Sequence, residues 1–272
     1  MTTVRDIRER AHPEAEPVTM LTAYDATTAS VLEEVGIDMI LVGDSAGDTA
    51  LGYDSTLPVT YDEIRSRSAA VARAADDALV VADMPFLSVG VDESESIRNC
   101  GRLLKEAGVD AVKIESGDHT VDLTERLVQL GIPVMAHVGL TPQRVKELGY
   151  EKQGTGEGDA ERILDLAVRH EAAGAFSIVL EHVPAELAAE ITAELDIPTI
   201  GIGAGPDCDG QVLVVDDVLG LSERSPPFAR RFASLREEMR DAAAAYREAV
   251  ESGSFPDDGA DSDGAGATDN EA

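Results

Sequence analysis

Along the chain, short runs of β-branched and other apolar residues alternate with longer stretches in which apolar positions recur every three or four residues. The first pattern marks strands and the second amphipathic helices, and their regular alternation marks repeated βα units around a parallel sheet. Eight runs qualify as strands: 18–24, 38–44, 79–83, 111–115, 133–137, 176–181, 198–203 and 212–215. Their near-continuous apolarity suits strands covered on both faces. Helical patterns fill 26–35, 61–74, 93–107, 121–130, 160–173 and 185–195, and Gly36, Gly108, Gly131 and Gly174 stand where helices end. Eight such units close a (β/α)8 TIM barrel, an α/β fold of roughly 250 residues. An open doubly wound sheet is the alternative, but no Gly-rich dinucleotide fingerprint follows the first strand. Residues 227–251 read as one or more helices packed outside the barrel or against another subunit. The expected organisation is one catalytic barrel domain over 1–251, followed by a disordered acidic tail over 252–272.

In a barrel enzyme the active site lies at the C-terminal ends of the strands, so ionisable residues that close apolar runs carry the information. Asp44, Asp83, Glu115, His137 and Glu181 close five of the runs. Any one of them alone reads as a helix cap or a loop solvator; together they converge on one mouth. Carboxylates are hard oxygen donors, so three of them without neighbouring Cys or paired His suit Mg²⁺ or a similar octahedral ion better than zinc. Mg²⁺ keeps several waters, which leaves positions for a chelating substrate such as a 2-keto acid. Lys113 lies in an apolar strand two residues before Glu115 and should face the same side, where it can pair with a substrate carboxylate or form a buried structural ion pair. The Gly-rich segment 201–210 (GIGAGPDCDG) follows the seventh run; it reads either as a phosphate-holding turn or as a tight turn alone.

Charge narrows the partners. Asp and Glu number 53 against 22 Lys and Arg, a formal net charge of −31, which repels nucleic-acid phosphates and anionic membrane surfaces. The six acids Asp257, Asp258, Asp261, Asp263, Asp269 and Glu271 account for −6, so −25 belongs to the body. Only four lysines occur. A chain this acidic resembles proteins of salt-loving organisms, where a Debye length of ~3 Å at molar salt relieves self-repulsion; a merely acidic protein of ordinary salinity is the alternative. Cys100 and Cys208 are too isolated for a disulfide framework or a thiolate metal site and read as buried or inert thiols of a reducing compartment. The charged N-terminus and the lack of an apolar run of about 18 residues lead to the expectation of a soluble, cytoplasmic protein with no membrane partner.

The ordered segments 21–25 (LTAYD), 41–45 (LVGDS), 52–60 (GYDSTLPVT), 82–86 (ADMPF), 112–115 (VKIE), 136–143 (AHVGLTPQ), 180–184 (LEHVP) and 201–205 (GIGAG) with 209–211 (DGQ) resemble the ketopantoate hydroxymethyltransferase family. The likeness runs from about Thr19 to Val215 and weakens through the C-terminal helix. It implies a barrel, a homo-oligomer that in this family is often decameric, and condensation of 3-methyl-2-oxobutanoate with 5,10-methylenetetrahydrofolate to give 2-dehydropantoate, early in pantothenate and coenzyme A synthesis. By the same resemblance, Asp44 and Asp83 match direct Mg²⁺ ligands, and Glu115 an acid near the metal that acts through a water. Ser45 and Lys113 match residues that hold the keto acid, Glu181 matches the catalytic acid/base, and His137 lines the site. No motif specifies the pterin of the one-carbon carrier. In the implied chemistry Mg²⁺ on the keto oxygen stabilises an enolate as Glu181 removes the C3 proton. The nearest rival is a Mg²⁺-dependent C–C lyase of the phosphoenolpyruvate mutase and isocitrate lyase group. Such lyases carry a reactive cysteine in a Lys/Gly/His-rich loop, and neither Cys100 nor Cys208, which is flanked by Asp207 and Asp209, fits that role.

Overall fold

The computed structural model describes residues 1–11 and 14–256. Its strands are β1 (Val18–Thr22), β2 (Met39–Val42), β3 (Leu79–Asp83), β4 (Ala111–Glu115), β5 (Val134–Gly139), β6 (Ser177–Glu181), β7 (Thr199–Ile202) and β8 (Gly210–Leu213). Every neighbouring pair is parallel, and β1 pairs with β8, with Val18 opposite Gly210 and Met20 opposite Val212. That last pairing closes the barrel and excludes an open doubly wound sheet.

The helices are α1 (Val4–Arg8), α2 (Ala26–Glu34), α3 (Ala46–Thr49), α4 (Tyr61–Ala72), α5 (Glu93–Arg102), α6 (Val121–Gln129), α7 (Val145–Leu148), α8 (Glu157–Ala172), α9 (Ala185–Glu194), α10 (Val215–Leu219) and α11 (Leu235–Ser252). Local chemistry starts them where the sequence suggests. Thr60 caps α4 in a reciprocal capping box with Glu63, and Asp25 and Asp92 cap α2 and α5 through their carboxylates. The expected single helix over 93–107 is α5 followed by a π-helical turn, Leu103–Ala107, ended by Gly108 in the left-handed region.

Several bounds differ from the sequence expectation for physical reasons. β2 stops at Val42, so Asp44 lies in the turn after the strand rather than at its last residue. β5 continues to Gly139, which places His137 inside the strand. β8 begins at Gly210 and ends at Leu213; Val215 opens α10 instead, its N–H bonded to Thr22 Oγ1. α8 begins at Glu157, and of the helical stretch expected over 227–251 only α11, from Leu235, is regular. Of the tail expected over 252–272, Ser252 still belongs to α11, and 257–272 lie outside the described residues.

Strand alternation sorts the apolar residues into two layers. Met20, Met39, Leu41, Leu79, Val81, Ala111, Met135, Val179, Ile200 and Val212 fill the interior of the barrel. The intervening residues face the helices. Ile40, Val80, Val112 and Ile114 pack with Ala29, Ile64 and Leu103 on one side, and Ala136, Ile178 and Leu180 with Ile163, Leu187 and Ile191 on the other. Ile7 of α1 is fully buried in the interior cluster beside Val18, Met39 and Leu79, the first residues of three strands, so α1 closes the N-terminal end. The opposite end is left for polar residues.

Candidate active site

Inward alternation dictates what stands at the open end. Leu79 and Val81 face inward, so Asp83 does; Ala111 faces inward, so Lys113 and Glu115 do; Met135 and Val179 place His137 and Glu181 on the same side. These five side chains, with Asp44 and Ser45 from the turn after β2, line one cavity of about 100 Å³ floored by Leu41 and Val179. All seven residues singled out in the sequence therefore meet in one place.

Their contacts form a chain across four consecutive strands. Lys113 Nζ lies 2.8 Å from Asp83 Oδ1 and 3.4 Å from His137 Nδ1. An ammonium has only protons to give, so Nδ1 of His137 accepts and its ring proton resides on Nε2. That nitrogen lies 3.2 Å from Glu181 Oε2, close in distance but too poorly aligned for a hydrogen bond, and it is left buried without a hydrogen-bond partner. Burial first, and then the charge of Lys113, holds the His137 pKa below its ordinary value, so the imidazole is neutral. The buried ion pair anticipated for Lys113 is thus present, with Asp83, and the ammonium still faces the cavity.

The second half of the site is anionic. Asp83 Oδ2 accepts the Asp44 backbone N–H at 2.9 Å, which brings the two aspartates together. Burial and the charge of Asp83 push the Asp44 carboxyl up to about 7, with Lys113 and a hydrogen bond from Gln143 opposing. Glu115 is raised well above the usual carboxylate range, by burial and then by Asp44. Burial works against the Lys113 ammonium, but Asp83 and Asp44 outweigh it and hold the pKa above its ordinary value. Four carboxylates thus share one lysine, and the deficit is of positive charge.

That deficit is the test of whether a divalent cation fits. The donors are hard oxygens, buried and short of compensating charge, which suits Mg²⁺. Among the described residues no group of three His, Cys, Asp or Glu side chains is gathered tightly enough to hold an ion alone. The residues that would hold such an ion are Asp44 and Asp83, with Glu115 lining the same cavity and its two oxygens sharing the Gln143 N–H at 3.2 and 3.1 Å.

Three neighbours carried no role in the sequence reading. Tyr24, buried, shares a hydrogen bond of 2.9 Å with Ser45 Oγ, and burial pushes its phenol up to about 12, so it stays protonated. Ser116 Oγ accepts the His137 N–H, tying β4 to β5. Gln143 bonds Asp44, Glu115 and Met84 O. Tyr24 and Gln143 lie within segments that carry the family resemblance; Tyr24 closes the expected run 18–24 but follows β1, which ends at Thr22, and Gln143 lies on a turn, where strand-end logic does not look. The Gly-rich segment turns sharply at Gly203 (φ 62°), against the Phe228 ring, and Asp209 anchors the return to β7 by accepting the Thr199 N–H. Cys100 is fully buried with its thiol pushed up to about 12 by burial, and burial also raises the half-buried Cys208, so neither is poised as a thiolate.

Comparison with known proteins places the chain in a family. Residues 1–258 match the family described as Ketopantoate hydroxymethyltransferase. Curated relatives named 3-methyl-2-oxobutanoate hydroxymethyltransferase include that of Haloarcula marismortui, 66% identical over 256 residues and 94% of each chain. The relative from Streptomyces coelicolor is 55% identical over 94% of this chain and 88% of its own. Among solved structures, a 2,3-dimethylmalate lyase described as a PEP mutase/isocitrate lyase superfamily member aligns with a TM-score of 0.56 at 18% identity, covering 93% of this chain and 87% of the lyase. A phosphoenolpyruvate phosphomutase from Streptomyces platensis aligns at 0.60 and 15%, covering 92% and 88%. At such identities these two share the fold alone.

Proposed function

The chain belongs to the ketopantoate hydroxymethyltransferase family, and from that premise we propose how its cavity hydroxymethylates 3-methyl-2-oxobutanoate with a carrier-borne one-carbon unit. The observation that carries the reading is the meeting of Lys113, the Asp44 and Asp83 pair and Glu181 around one small cavity. The Lys113 ammonium binds the substrate carboxylate, and Ser45, its hydroxyl oriented by Tyr24, adds a hydrogen bond. Glu181 faces the cavity from the end of β6 and takes the proton from substrate C3; His137 beside it lines the substrate's path and, being neutral, places no positive charge against Glu181 that would weaken it as a base. Asp44 and Asp83, with Glu115 in the same cavity, would hold Mg²⁺, whose positive charge would ease loss of the C3 proton. C3 then forms its bond to the methylene carbon of 5,10-methylenetetrahydrofolate or a related pterin as that carbon's bond to one carrier nitrogen breaks, the freed nitrogen taking up the proton that Glu181 removed. Water then replaces the second nitrogen, its hydroxyl staying on carbon and its proton going to that nitrogen, giving the free carrier and 2-dehydropantoate for pantothenate and coenzyme A synthesis.

A cavity of about 100 Å³ leaves room for little more than a small keto acid, so the pterin stands outside the mouth. Copies of the chain associate through α11, which has no buried residue and exposes Met239, Tyr246 and Val250, and through the apolar groove beside β1 and β8 lined by Leu21, Ile37, Val218 and Phe232. The net charge of −31 supports a salt-adapted protein of the cytoplasm that binds neither nucleic acid nor membrane; no helix among the described residues is long and apolar enough to span one. The test is turnover of 3-methyl-2-oxobutanoate with different pterin carriers, run beside cleavage of 2-methylisocitrate. Cleavage without hydroxymethylation would transfer the assignment to the lyases.

A further inference from the structure

Gln143 lies outside the ring of strand ends, on the 3-10 turn Pro142–Arg144 after β5. Its Nε2 donates to Asp44 Oδ2 and to the main-chain oxygen of Met84, each at 2.9 Å. Its backbone N–H is shared between the two oxygens of Glu115. One residue thus joins the turn after β2, the residue after β3 and the end of β4. The Met84 carbonyl can only accept, so it fixes which end of the amide carries the NH2 group, and that group must then present a proton to Asp44. Oδ2 of Asp44 is engaged from the side, while the carboxylate still faces the cavity.

We propose that Gln143 is the positioning residue of the cation and keto-acid site, fixing the orientation of Asp44 through its side chain and of Glu115 through its main chain. The inference rests on the reading of Asp44 as a cation ligand. Without the amide, Asp44 is a buried carboxylate beside Asp83, with nothing to keep it from turning away. Partners of this kind change metal affinity by about 10–100-fold when removed.

Mn²⁺ serves as the probe, its binding to the full-length protein followed by electron paramagnetic resonance. Gln143→Met keeps the length and loses the donor; Gln143→Asn keeps the amide one methylene too short to reach both acceptors. Both are expected to weaken Mn²⁺ binding by about 10–100-fold and to raise the Mn²⁺ concentration for half-maximal turnover in proportion, with kcat at saturating metal changing less. Asp44→Asn is the control. A folded Gln143→Met or Gln143→Asn protein with Mn²⁺ affinity within about twofold of the parent, while Asp44→Asn loses binding, overturns the positioning role alone. Undiminished binding in Asp44→Asn overturns the cation reading and this inference with it. Loss of native ellipticity in both Gln143 variants marks a structural role and also overturns the proposal.

Discussion

Lys113 and Asp83 stand opposite one another in the register of β4 and β3, and their side chains, 8% and 6% exposed, meet at 2.8 Å. Removing one member of a buried pair strands the other's charge. Lys113→Met, which matches the stem in length, is expected to destabilise the fold by about 3 kcal/mol and to abolish binding of 3-methyl-2-oxobutanoate. Urea unfolding and calorimetric titration check the two effects. An unchanged urea midpoint would show that Asp83 does not need this ammonium.

Glu181→Gln keeps the shape of the site and loses the base. Exchange of the substrate C3 proton in deuterated water, followed by NMR, is expected to slow by about 10²–10⁴-fold, with keto-acid affinity largely retained. Exchange at the parent rate would remove Glu181 from the proton transfer.

The cation reading predicts linkage between Mg²⁺ and stability. At a hundredfold excess over its dissociation constant, Mg²⁺ is expected to add about 2.7 kcal/mol, seen as a rise of roughly 5–10 °C in melting temperature that EDTA reverses. Asp44→Asn should remove the response. A melting curve indifferent to Mg²⁺ in the parent protein would count against the site.

The acid limb of stability has an identifiable source away from the site. His170 is fully buried on α8, its Nδ1 3.1 Å from Thr124 Oγ1 and its Nε2 without a hydrogen-bond partner. Burial, with Arg169 adding, pushes its pKa down to about 4, against about 6.5 in an unfolded chain. The unfolded state therefore binds more protons between these values, so the contribution is full above about pH 6.5 and is lost as pH falls toward 4. The loss amounts to about 3 kcal/mol. Urea midpoints of His170→Gln should show a shallower decline from pH 6.5 to 4 than those of the parent; parallel declines would exclude His170.

Much of this was legible in the sequence because the barrel is built from period-two alternation, and the same alternation that buries Ala111 turns Lys113 and Glu115 inward. Residues whose position depends on strand parity were found. Asp44 and Ser45, on the turn after β2, are legible because they directly follow an apolar run and lie in a segment of family resemblance, whereas Gln143 is not: it reaches Asp44 across 99 positions of sequence, and no local period encodes that contact. Strand ends were blurred for a related reason. His137 and Gly139 continue the apolar rhythm of β5 without a breaker, whereas β2 stops at Val42 because the chain turns at Gly43 to begin α3.

Self-association through α11 has its own test. Deleting residues 235–272 removes the helix that exposes Met239, Tyr246 and Val250. The shortened protein is expected to sediment with fewer copies per particle than the parent at equal salt. An unchanged number of copies would place the interface elsewhere.

One lysine among four carboxylates also imposes an order of events. With all groups ionised, three negative charges remain in excess, and an anionic keto acid arriving first would meet a repulsive field in a narrow, poorly screened space. A doubly charged cation entering first cuts that excess to one. Kinetics should therefore show compulsory ordered addition, metal before acid, with the acid's association rate tracking metal occupancy.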